Sequence, residues 1–90
     1  MSEESWQIRV MPTAQRQLAG LPERYAAAVI ELLPAIAAKP KRLGKPLRFE
    51  LTGQWVARRG PYRIIYAIEE EARTVRVLAV AHRADVYRSR

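Results

Sequence analysis

Leu47-Arg48-Phe49-Glu50-Leu51-Thr52-Gly53-Gln54-Trp55-Val56-Ala57-Arg58-Arg59-Gly60-Pro61-Tyr62-Arg63-Ile64-Ile65-Tyr66 is the stretch on which the fold turns. Two β-type segments meet in it across the Gly60-Pro61 break. The first, residues 48–58, is anchored by Phe49, Leu51 and Trp55, with a bend or bulge at Thr52-Gly53. In the second, residues 62–69, side chains alternate across the strand. Tyr62, Ile64, Tyr66 and Ile68 fall on one face; Arg63, Ile65 and Ala67 fall on the other.

Downstream, Glu69-Glu70-Glu71-Ala72-Arg73 reads as a polar hairpin loop. A third strand follows over 74–81, with Val75, Val77 and Ala79 on one face and Arg76, Leu78 and Val80 on the other. The tail, 84–90, reads as a short turn or helix, or as a fraying end. Upstream, residues 39–48 hold Lys39, Lys41, Arg42, Lys45 and Arg48 among two prolines and a glycine. Such a loop cannot bury itself. It is either a solvated linker or a basic track for phosphates.

Before the loop, the spacing of Ala26, Val29, Ile30, Leu33, Ile36 and Ala37 predicts a helix over 22–38, with a kink or early end at Pro34. A shorter helix, 12–19, starts at Pro12 and stops at Gly20. The pair reads as a hairpin packed on the sheet. Trp6, Ile8 and Val10 alternate in a first strand. The expected architecture is therefore α+β: strand, helix, helix, then three strands, in a four-stranded antiparallel sheet with the helices on one face. Arg63 would lie on the open face.

Ninety residues with an ordinary apolar share make one domain, 1–90, with a thin core. There is no cysteine, so disulfides and thiolate metal sites are excluded, and a cytoplasmic setting is expected. The opening Met-Ser-Glu-Glu-Ser shows no secretory pattern, and no apolar run approaches the ~20 residues a membrane helix needs. The net charge of +7 points to an acidic partner: RNA, DNA or an acidic protein. A single histidine and scattered carboxylates give no metal constellation, and no phosphate loop or Ser-His-Asp pattern is present, so no cofactor is expected.

Four fragments in register resemble the RelE toxins of type II toxin–antitoxin pairs, within the wider RelE/ParE group. They are Gly44-Lys45-Pro46-Leu47, Leu51 to Arg59, Tyr62 to Tyr66, and His82-Arg83-Ala84-Asp85-Val86-Tyr87; the stretch Ala14 to Pro22 fits as well. The resemblance implies a metal-independent endoribonuclease that cuts messenger RNA in the ribosomal A site. Its chemistry would leave a 2′,3′-cyclic phosphate and a 5′-OH. It also implies ribosomal RNA contacts, a cognate RelB-like antitoxin that wraps the toxin, and operator DNA bound only through that complex. The ParE-like branch shares the fold but inhibits DNA gyrase without cutting RNA.

In-line attack by a 2′-OH needs a group to take the 2′ proton, positive charge for the developing phosphorane, and support for the leaving 5′-oxygen. Arginine suits the second task, since its planar fork matches phosphate oxygens. Arg63 leads the candidates, with Arg58 and Arg83. The competing reading makes each an ion-pair partner of Glu69–Glu71 or Asp85. His82 is either a proton carrier, given its ordinary pKa of ~6.5, or a packing residue. Tyr87 matches a family tyrosine near the substrate and either stacks on a base or packs over the helices. Lys39, Lys41, Arg42, Lys45, Arg48 and Arg59 are the remaining candidate RNA contacts. Some relatives carry a lysine two places before the Arg58 position or a glutamate after Gly-Lys-Pro; Val56 and Leu47 stand in those neighbourhoods here.

Overall fold

The computed structural model describes residues 6–48 and 53–83. Strand β1 (Gln7–Val10) leads into helix α1 (Pro12–Ala19), helix α2 (Glu23–Ala38) and the one-turn helix α3 (Pro40–Leu43). Strands β2 (Lys45–Pro46), β3 (Gln54–Arg59), β4 (Tyr62–Glu69) and β5 (Thr74–His82) follow. Helix α2 runs through Pro34 to Ala38 and does not end early.

The sheet has five strands in the order β1-β5-β4-β3-β2 and is mixed, which corrects the expected four-stranded antiparallel sheet. Short connections make β3, β4 and β5 antiparallel neighbours, as their loop lengths require. Strand β1 pairs parallel to β5. It reaches the rest of the sheet through two helices, so no tight turn dictates its direction. The extra strand, β2, and α3 both come from the basic stretch expected to be a plain loop.

Both helices cover one face. Ala14, Val29 and Ile36 bury themselves there against Ala57, Ile64, Tyr66, Val75, Val77 and Val80. The alternation in β4 is as read from the sequence: Ile64 and Tyr66 are fully buried, while Arg63 and Ile65 turn the other way. Strand β5 departs from its expected phase. Ile65 pairs with Ala79, yet Tyr66 pairs with Val77, so Leu78 is an extra residue opposite one β4 step. This bulge moves the core face from Val77 to Val80, not to Ala79. Gln17 of α1 supports it, its Oε1 accepting the Val80 N–H at 2.6 Å.

Among the described residues, no helix is long and apolar enough to cross a membrane.

Candidate functional site

Arg58 on β3 and Arg63 on β4 are Cα partners in the antiparallel ladder, so both side chains leave the same, helix-free face. Their strands lie ~4.8 Å apart. Arg58 is exposed and Arg63 half-buried. Lys45 pairs with Val56, two residues from Arg58 and therefore on the same face, ~7 Å along the strand. Leu43, Lys45, Val56, Ala57 and Arg58 line a cleft of about 350 Å³ at this edge. Three cations from three neighbouring strands thus converge on one surface.

Arg83 closes the same end. Its N–H donates to the Pro61 carbonyl at 2.7 Å, one step beyond β5. Strand β5, whose Ala81 is the partner of Arg63, ends at His82, and Arg83 is the next residue.

His82 does not join them. It pairs with Tyr62 on the helix-covered side, where its ring meets Tyr62 edge-on at 5.4 Å. Tyr62 in turn packs on Tyr25 of α2 at 5.3 Å. The bulge is the physical cause. Without Leu78 as an extra residue, the alternation would have placed His82 on the arginine face.

The remaining candidate RNA contacts divide. Arg59 pairs with Tyr62 on the helix side and forms a 3.6 Å ion pair with Glu31 of α2, so it is turned away from Arg58. Lys41 forms an ion pair with Glu70 and stands 6.0 Å from the Trp6 ring, over which Arg73 also sits at 4.6 Å. Lys39 and Arg42 line a second cleft with Trp6 and Arg73. This cluster lies at the Glu69 end of β4, ~20 Å from Arg63 at ~3.3 Å per residue. Arg48 is exposed just past Leu47, whose amide bonds Gln54. Of the basic stretch, Lys45 lies on the Arg58 face. Tyr87, with Ala84, Asp85 and Val86, lies outside the described residues, as do Phe49 and Leu51.

Glu69 takes Arg76, at 2.5 Å, and Glu70 takes Lys41. Among the described residues, no three His, Cys, Asp or Glu side chains gather closely enough to hold a metal ion.

One buried contact went unread in the sequence. Tyr66, with no exposed surface, donates its hydroxyl to the Pro40 carbonyl at 2.6 Å and accepts the Gly44 N–H. Burial pushes the phenol up to about 12, against a smaller lowering by the Gly44 bond. Alternation marked Tyr66 as a core residue, but nothing local marks the carbonyl its hydroxyl reaches, 26 residues earlier.

Comparison with known proteins places this geometry in a family. A family model described as the ParE toxin of the type II toxin–antitoxin system parDE matches residues 8–87. Toxin RelG of Mycobacterium tuberculosis is 50% identical over 82 residues, covering 90% of this chain and 94% of the relative. Toxin RelE of the same organism is 40% identical over 87 residues, covering 96% and 90%. The toxin–antitoxin complex RelBE2 of M. tuberculosis contains a chain that is 46% identical and superposes with a TM-score of 0.85, covering 93% of this chain and 98% of that one.

Proposed function

The chain belongs to the RelE/ParE family of type II toxins and is a RelE-like toxin of a toxin–antitoxin system, and from that premise we propose that it is an endoribonuclease cutting messenger RNA in the ribosomal A site. Its cognate antitoxin masks the cationic face. The supporting observation is the Arg58–Arg63 pair. An RNA phosphate placed between them gains two forked contacts.

In this reading the 2′-oxygen bonds to phosphorus as the bond to the 5′-oxygen breaks. Solvent water takes the 2′ proton and supplies one to the 5′-oxygen, which leaves a cyclic phosphate and a 5′-OH. Arg63 and Arg58 neutralise the charge that develops on the phosphoryl oxygens. Lys45 and Arg83 hold the flanking backbone. Tyr87 stacks on a neighbouring base. His82 faces the helices and supplies no proton. No metal-bound step enters this sequence, and charge and positioning carry the rate.

Expression from a tight promoter, with transcript 5′ ends mapped by primer extension, tests the proposal. Cuts within translated codons, lost in Arg63→Ala, support it. The matching family model is that of ParE, which makes gyrase inhibition the second reading. Growth arrest with intact messages and an SOS response would establish that reading and overturn the nuclease.

A further inference from the structure

We propose that Tyr66 is a positioning residue that acts through Gly44 to hold Lys45 beside Arg58. The functional half of this proposal rests on the nuclease reading above.

Strand β2 has two residues, and just past it the Leu47 N–H donates to the Gln54 carbonyl at 2.8 Å. So short an edge strand holds its register weakly by itself. The turn before it is clamped from beneath. The Tyr66 hydroxyl ties the first residue of α3, Pro40, to the residue after it, Gly44, through one donated and one accepted hydrogen bond. Gly44 is buried on that hydroxyl. A Cβ there would overlap the Tyr66 hydroxyl and approach the Val56 carbonyl to 2.9 Å. Tyr66 itself is fully buried in the core and paired across β4 and β3 with Trp55. The core therefore sets the position of Gly44, and the next residue is Lys45, opposite Val56 on the arginine face. Tyr66 and Lys45 lie on opposite sides of the sheet, linked through one backbone step.

The test compares Tyr66→Phe, Gly44→Ala, Lys45→Ala and the Tyr66→Phe/Lys45→Ala double variant. Each is assayed for single-turnover cleavage on programmed ribosomes and for amide hydrogen exchange. Tyr66→Phe and Lys45→Ala should each slow cleavage about tenfold, the scale of one displaced charged contact in the transition state. Added to Lys45→Ala, Tyr66→Phe should change the rate less than about twofold, because the residue it acts through is already gone. Amide exchange at Gly44 and Leu47 should accelerate in Tyr66→Phe while exchange at Ile64 stays slow. Gly44→Ala should reproduce both effects by pushing from the other side. Equal slowing by Tyr66→Phe with and without Lys45 would overturn the proposal, since a general loss of stability acts in both backgrounds. Unchanged exchange at Gly44 and Leu47 would overturn it too. If the unmodified protein cuts no message, the nuclease reading has failed, and the exchange measurement alone decides whether Tyr66 holds this segment.

Discussion

Arg58 and Arg63 face each other across adjacent strands, as Cα partners in the β3–β4 ladder. Arg63→Ala should leave the fold intact, with a cooperative thermal transition. The same variant should lower message cleavage by ~10²-fold or more, the scale of removing one charge-stabilising donor. Thermal denaturation and 5′-end mapping check the two halves. A variant that still arrests growth at equal expression would show that Arg63 has been given the wrong role.

Arg58 and Arg59 are neighbours in the chain and face opposite ways. Arg59→Ala removes an exposed ion pair to Glu31, which contributes ~1 kcal/mol at most, and should leave cleavage intact. Arg58→Ala should weaken cleavage about tenfold and flatten the salt dependence of RNA binding by about one phosphate contact. Salt titrations of both variants against one RNA provide the comparison.

His82 packs edge-on to Tyr62, away from the arginines. His82→Gln should keep most of the cleavage rate and show an unchanged pH profile. A loss of ~10²-fold or more would match removal of a general acid or base and would return His82 to the chemistry.

Tyr66 binds its proton more tightly in the folded protein, with its pKa raised from 10.0 to about 12. The unfolded chain ionises first, so the folded state holds more protons above pH 10. This stabilisation is complete below pH 10, falls as pH rises, and is gone above about 12. It amounts to on the order of 3 kcal/mol. Denaturant midpoints between pH 9 and 12 should fall more steeply for the unmodified protein than for Tyr66→Phe. The ultraviolet titration should show Tyr66 retaining its proton past pH 10, and Tyr66→Phe should remove that late step.

Gln17 accepts the Val80 N–H at the β5 bulge. Gln17→Ala strands that donor and should cost ~1–3 kcal/mol. Chemical denaturation measures the loss. A cost near zero would mean that strand pairing alone maintains the bulge.

Period-two alternation and helical spacing are local properties, and they told the truth wherever the pairing was regular. Residues 62–66 by themselves determined that Ile64 and Tyr66 go inward and Arg63 outward. Ala26 to Ala37 determined that an apolar helix face packs on the sheet. The family followed from fragments in register between Gly44 and Tyr87. The direction of β1, the facing of His82 and the clamp on Gly44 belong to the tertiary structure. Each depends on contacts between distant segments: β1 against β5, Gln17 against Val80, and Tyr66 against Pro40. One extra residue in β5 moved His82 to the helix-covered face, because inserting one residue inverts every strand side chain beyond it.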